Sequence, residues 1–173
     1  MKRVPGLLIV VTGLMLAGLS CTYKLSLSGE SIPPNMKTIH VDFFENNAAL
    51  VVNNLSTNFT EALKSRIRNT TRLSIVTGEG DATMSGSITG YEIAPVSINA
   101  TANNVAPIAG ASRLTITVQV KYVNTLDKKD NFDESFTKFE DYTGDINAKE
   151  QTLIADINKQ LIEDIFNKAF ANW

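Results

Sequence analysis

Few residues in this 173-residue chain have types and spacings that could do chemistry. His40 is its one histidine, and the alternation of residues 37–44 puts it on the polar side of a strand. Zinc is held by three or four Cys, His or acidic ligands. With one His and one Cys in the whole chain, no metal site is expected. A Ser-His-Asp arrangement could use only His40, and the glycine pattern of a nucleophile elbow is missing. Gly78, Gly80, Gly86 and Gly90 match neither a Walker loop nor a dinucleotide fingerprint. Asp133-Glu134 and Glu140-Asp141 could be pictured as acid and base, but strand neighbours point to opposite faces. Solvated surface carboxylates are the simpler reading. The expectation is a protein that is not an enzyme and takes no cofactor.

Cys21 carries a different chemistry. Lys2 and Arg3 are followed by an uncharged apolar run over residues 4–19, then by Ser20 and Cys21. A positive head, an apolar core and a small residue before the cut is the pattern of a secretory signal. The run is short for a membrane-spanning helix, which needs about 20 residues. Gly18-Leu19-Ser20-Cys21 resembles a bacterial lipobox, although Leu stands one place later than in the commonest form. Residues 1–20 therefore read as the signal of a lipoprotein and Cys21 as the lipidated residue. A sole cysteine cannot form a disulfide within the chain. Each buried acyl CH₂ contributes about 0.8 kcal/mol and stable attachment needs more than one chain, which a tri-acylated, palmitate-bearing cysteine satisfies. The alternatives are a conventional signal peptide and a plain N-terminal membrane helix.

The elements that follow must position whatever else matters. Composition is that of a globular protein, 43% hydrophobic and 20% charged. Loss of Lys2 and Arg3 takes the formal net charge from −2 to −4. That mild acidity argues against nucleic acid as a partner. Residues 21–36 read as a tether with a Pro-Pro turn, and residues 37–173 as one domain.

Ile39, Val41 and Phe43 alternate with His40 and Asp42, the period of a half-buried strand. Asn53 or Asn54 then caps a helix to about Asn69, with Leu55, Phe59, Ala62, Leu63 and Ile67 on one face. Residues 73–77 are a short strand. Residues 83–96 form a longer one, with a bulge expected at Gly90 where the apolar phase shifts from Met84, Gly86 and Ile88 to Tyr91 and Ile93.

Residues 97–112 are an uncharged loop of small residues, long enough to be functional or disordered. Leu114, Ile116, Val118, Val120 and Tyr122 mark the clearest strand. A charged turn over residues 124–131 joins it to a strand at 132–142, where Phe139 falls out of phase with Phe132 and Phe136. That shift implies either a bulge or an outward-facing ring. From about Ala148 to Asn172 a broad apolar stripe predicts a long helix. Amphipathic helices and one-sided strands bury each other by stacking in two layers. The fold class is α+β, a two-layer sandwich with two helices on one face of a mixed sheet of about four strands. The first strand–helix–strand unit is expected to be a right-handed crossover with parallel strands.

Several stretches together resemble one family. They are Ile32-Pro33-Pro34; Thr38-Ile39-His40-Val41-Asp42-Phe43-Phe44 with Asn46-Asn47 after it; Phe59-Thr60-Glu61-Ala62-Leu63; Gly86-Ser87-Ile88-Thr89-Gly90-Tyr91; Arg113-Leu114-Thr115-Ile116; and the ending from Asp164 to Trp173. With the lipobox-like start they resemble the LptE family of outer-membrane lipoproteins, in the form found in Bacteroidetes-type bacteria. The resemblance implies a lipoprotein that plugs an LptD-type β-barrel, supports its assembly and helps deliver lipopolysaccharide to the outer leaflet. It implies two helices on a four-stranded sheet and an outer-membrane location, with the domain periplasmic or inside the barrel lumen.

Lipopolysaccharide phosphates would call for Arg113, Lys121, Lys128, Lys129 and Lys138, which otherwise read as solvated charges. The uncharged loop, with Ala100, Asn103, Asn104, Val105, Pro107 and Ile108, would be a barrel-contact segment or else a plain surface loop. Two rival readings stay open: a lipid-anchored module binding glycan or a small ligand in an aromatic-lined pocket, and a structural subunit of another envelope complex.

Overall fold

Strand β5 (Ala111–Asn124) is the spine of the molecule. Its alternating Leu114, Ile116, Val118, Val120 and Tyr122 are all buried, as the period of two requires. The computed structural model describes residues 32–50, 52, 54–96 and 111–171. The other strands are β1 (Thr38–Val41), β2 (Glu45–Asn46), β3 (Ser74–Val76), β4 (Ala82–Pro95) and β6 (Phe132–Thr143). Helix α1 (Leu55–Thr70) follows β2, and α2 (Glu150–Phe170) ends the fold. The sheet runs β3-β1-β4-β5-β6, with the short β2 also pairing β4. β1 is parallel to β3 and β4, while β4–β5 and β5–β6 are antiparallel. This is the expected mixed α+β sandwich, with six strands instead of about four: the first segment divides into β1 and β2, and the three-residue β3 adds an edge.

That division has a local cause. Strict alternation would bury Phe43, but Phe43 is 53% exposed and Phe44 is fully buried. The chain leaves its extended path after Val41, which turns Phe44 inward against Phe59 at 5.2 Å between ring centroids. The Thr60 hydroxyl, buried in α1, accepts the Phe44 backbone N–H at 3.0 Å and ties helix to strand. Leu55, Phe59, Leu63 and Ile67 are buried as the helical spacing requires, but Ala62 is on the exposed side. Asn54 is the residue before α1, in the left-handed region at φ 65°, and its side chain makes no cap bond. Its carbonyl instead accepts the Asn58 N–H at 2.8 Å, a conformation that asparagine tolerates better than most residues.

β3 and β4 lie on opposite sides of β1, so residues 77–81 must carry the chain across that strand. A Cβ at Gly80 would lie 3.0 Å from the His40 backbone nitrogen and from the Ala82 carbonyl oxygen, so the crossing lies closer on β1 than an ordinary side chain accommodates without a shift. Asp81 fastens it. Its Oδ2 accepts the backbone N–H groups of Lys37 and Thr38 and the Thr38 hydroxyl, at 2.8, 2.9 and 3.0 Å. Its carbonyl accepts from Thr125 at the far end of β5.

The register of β4 on β5 slips between Ile88 and Gly90. The bulge is thus present, with Thr89 as the extra residue, and it returns Tyr91 to the buried face that Ile88 occupies. The pairing of β5 with β6 has no such slip. Phe139 therefore faces outward, 48% exposed. On the inner side, Tyr122, Phe132, Phe136, Phe166 and Phe170 form a chain of aromatic contacts between the sheet and α2. Ile32 and Met36 are buried in the same core, so the packed domain takes in the end of the stretch read as a tether. No helix among the described residues is long and apolar enough to cross a membrane.

Candidate functional site

The five basic residues expected to serve a phosphate-bearing ligand occupy three different places. Arg113 and Lys121 are on the outer face of β5, eight residues apart, which is about 26 Å along a strand. Lys138 is on the opposite face of the sheet and binds Asp164 of α2 at 2.7 Å. Lys128 and Lys129 are in a 3-10 turn at the tip of the β5–β6 hairpin. The period of two decides this: from β5 to β6, odd residues pair with odd and even with even, so Lys138 shares a face with Glu134 and Glu140, not with Arg113.

Arg113 is committed to a neighbour. Its Nε and Nη2 donate to the two carboxylate oxygens of cross-strand Asp141 at 2.7 and 3.0 Å. Its guanidinium is 3.7 Å above the centre of the Phe139 ring. The paired hydrogen bonds push the Arg113 pKa up and hold the Asp141 carboxyl below the usual range. Lys121, Lys128 and Lys129 form no ion pair among the described residues, and all three lie at the hairpin end of the sheet.

That end is built by side chains bonding to backbone, without glycine. Asn124, itself buried, accepts the N–H groups of Leu126 and Asp127 on Oδ1 and donates from Nδ2 to Asp130. Asp127 accepts the Lys129 N–H at 3.0 Å. The turn is thereby fixed with both lysine side chains outside. Next to it an open hollow of about 720 Å³ runs between β6 and the end of α2, lined by Lys129, Phe132, Phe136 and Lys168. Lys168, not among the expected cations, lies 2.8 Å from Glu134 and 5.8 Å from the Phe132 ring. Its position on a helix far along the chain gave no sign of this. Asp130, Glu134 and Asp164 also line the hollow, so it holds no excess of positive charge.

The outer face of the sheet, away from both helices, is largely hydroxyl and amide: Ser85, Ser87, Thr115, Thr117, Gln119 and Thr137. Thr117 and Thr137 are bonded across the strands at 3.0 Å, and Gln119 donates to Asp133 at 2.6 Å. Tyr91, Tyr122 and Tyr142 are buried, so these three tyrosines build no sugar-stacking platform. Burial first, and then the Glu150 carboxylate in front of its hydroxyl, push the Tyr91 pKa well up.

His40 has both ring nitrogens engaged, Nδ1 with the Val76 carbonyl at 2.9 Å and Nε2 with the Asp42 carboxylate at 2.8 Å. Two acceptors favour the doubly protonated ring and raise its pKa. The imidazole ties β1 to the edge strand β3. Among the described residues no three His, Cys, Asp or Glu side chains are grouped to hold a metal. Cys21 and the residues expected to touch a barrel, Ala100, Asn103, Asn104, Val105, Pro107 and Ile108, lie outside the described residues.

Comparison with known proteins adds three findings. A family model described as LptE, lipopolysaccharide-assembly, matches residues 36–169. No curated protein matches the chain. Among solved structures, a hypothetical protein from Chlamydia trachomatis is similar with a TM-score of 0.53 at 8% identity, over 79% of this chain and 99% of that one; the two share a fold. The rare lipoprotein B from Shewanella oneidensis gives a TM-score of 0.49 at 13% identity, over 76% of this chain and 90% of that one.

Proposed function

The chain belongs to the LptE family of lipopolysaccharide assembly, and on that premise we propose that it is a non-enzymatic outer-membrane lipoprotein that plugs an LptD-type β-barrel. The observation that carries this is the family match from Met36 to Ala169, which takes in all six strands and nearly all of α2. The form of the sheet supports it. One face is covered by both helices, and the other presents hydroxyl and amide groups with few free charges. The interior of a membrane β-barrel is polar, and the hydroxyl and amide part of this face can lie against it while Lys121, at the hairpin end, stays outside the contact. Cys21 carries the lipid in this reading, with residues 1–20 removed, and the segment between β4 and β5 supplies the contact with the barrel wall; Ala111 and Ser112, read as the end of that loop, belong to β5.

Direct contact with lipopolysaccharide falls to Lys121, Lys128 and Lys129 at the hairpin end, because Arg113 and Lys138 already have carboxylate partners. Three cations on an acidic domain make a weak, salt-sensitive site.

The deciding experiment is gentle detergent extraction of the outer membrane with the chain tagged at its C-terminus, followed by mass spectrometry. A stoichiometric LptD-type barrel is the expected companion. Recovery of the lipoprotein alone, or with another envelope complex, would overturn the plug reading. Cys21→Ser should release the chain from the membrane. Lys128→Glu with Lys129→Glu should weaken binding of purified lipopolysaccharide at low salt while leaving the barrel bound.

A further inference from the structure

Strand β6 is an outer edge of the sheet and pairs only with β5 among the described residues. The far side of the ladder shows which of its backbone groups face outward. The Met84 and Ile88 carbonyls of β4 accept the N–H groups of Asp42 and Asn47 at 2.9 and 2.8 Å, so these two residues turn away from β5. Their cross-strand partners Tyr122 and Val118 therefore turn away from β4 and bond to β6. On β6 the even residues from Phe132 to Tyr142 answer them, and the odd ones point outward. The Thr143 carbonyl follows that rule, accepting Lys149 Nζ from outside at 2.8 Å. Asp133, Ser135, Thr137, Phe139 and Asp141 thus present a row of N–H and C=O groups with no backbone partner among the described residues.

Such a row repeats about every 6.7 Å along a strand, and its complement is another extended strand. Edge strands are usually blunted by shortness, a bulge or a proline, but β6 is 12 residues long, with no proline and no register slip. On its helix side the hollow of about 720 Å³ leaves Phe132 and Phe136 only half-buried. A fitting strand is therefore apolar on its inner side and polar on its outer side, where Ser135 and Thr137 stand. A second copy of β6 fits badly. Paired antiparallel about Thr137, it would set Asp133 against Asp141 and Glu134 against Glu140.

Residues 23–28, outside the described residues, have the required pattern. Tyr23, Leu25 and Leu27 alternate with Lys24, Ser26 and Ser28, and Gly29 ends the run. The chain also enters the fold at the right place. Met36 meets the Tyr122 hydroxyl at 3.9 Å, at the end of the sheet where β6 begins, and Ile32 is buried in the same core. Residues 29–31 span about 10 Å, two strand spacings. So short a link gives the segment a local concentration on the order of millimolar, ahead of a free competing strand. We infer that residues 23–28 close this edge as a seventh strand, antiparallel to β6, with Tyr23, Leu25 and Leu27 over the hollow. On the reading that Cys21 carries the lipid, the strand holds that anchor beside the Thr143 half of β6 and so sets how the domain lies on the membrane.

Amide hydrogen exchange, read residue by residue by NMR on the mature full chain in detergent, tests the strand. Three successive residues of the outward set should exchange as slowly as Glu134, Phe136 and Lys138, which bond to β5. Leu25→Asp with Leu27→Asp should speed those three about a hundredfold and leave the even set slow, which shows that the domain is still folded. Fast exchange at all five outward residues of the parent would overturn the proposal. So would slow exchange that the double variant leaves unchanged, since the cover would then be a second copy or residues 97–110. Failure of the lipid reading would show separately, as an unmodified Cys21 by mass spectrometry, and leaves the exchange pattern as it is.

Discussion

Gly86 is the position where one added methyl group should do the most damage. It pairs with Val120 across the β4–β5 ladder, and its missing side chain makes room for the ring of Phe44. A Cβ there would lie 2.6 Å from Phe44 Cε1 and would overlap the backbone carbonyl oxygen of Gln119. Carbon atoms rest about 3.5–4.0 Å apart, so the ring would have to withdraw by about 1 Å. Phe44 is fully buried and already packed on Phe59, so it has little space to do so. The carbonyl belongs to a paired strand and cannot rotate away. Overpacking a filled core costs about 1–3 kcal/mol, and two obstructions place Gly86→Ala at the upper end, about 3 kcal/mol. For a domain of this size that is a fall of about 10 °C in melting temperature.

Far-UV circular dichroism of the detergent-solubilised chain, with urea midpoints beside it, measures the loss. Phe44→Leu, which shortens the ring, should recover only a minor part of it in the double variant, because the Gln119 carbonyl remains. A Gly86→Ala protein within about 0.5 kcal/mol of the parent would refute the packing argument. Full rescue by Phe44→Leu would show that the ring alone sets the constraint.

Two further predictions concern pH. The Asp81 carboxyl is held below its usual pKa by the backbone N–H groups of Lys37 and Thr38, so its stabilisation is present above the ordinary carboxylate value and is lost as pH falls through the folded one. Urea midpoints should drop on the acid side, and Asp81→Asn should lower the neutral-pH midpoint while flattening that limb; an unchanged acid limb would discard Asp81 as the latch of the 77–81 crossing. His40 has the opposite sign. Its pKa is raised by the Val76 carbonyl and then by Asp42, against Lys64, so its contribution is full below the ordinary value of 6.5 and is lost as pH rises through the folded value. Stability should decline on that side in the parent chain and not in His40→Asn; NMR titration of the imidazole at or below 6.5 would contradict the two-acceptor geometry.

Period and composition alone specified much of this protein. Alternation in residues 114–122 and helical spacing in 55–67 and 153–170 mark faces that must be buried whatever they meet, and that was enough for a two-layer α+β sandwich. The phase slip at Gly90 announced the bulge, because a strand has only two faces and a residue out of step must be accommodated. Family membership was also readable, since it rests on residues in order along the chain.

What tertiary structure decided depends on neighbours distant in sequence. Strand pairing set Arg113 beside Asp141 and turned Lys138 to the helix side, where α2 supplies Asp164, dividing a set of cations that proximity in sequence suggested was one. The turn after Val41, not alternation, chose Phe44 over Phe43 for the core. Asn158 shares its face of α2 with isoleucines and leucines; only the assembled fold shows that its side-chain oxygen is buried without a donor. A sequence records which side chains share a face, but hydrogen-bond satisfaction depends on what stands across from them, and that exists only in the assembled fold.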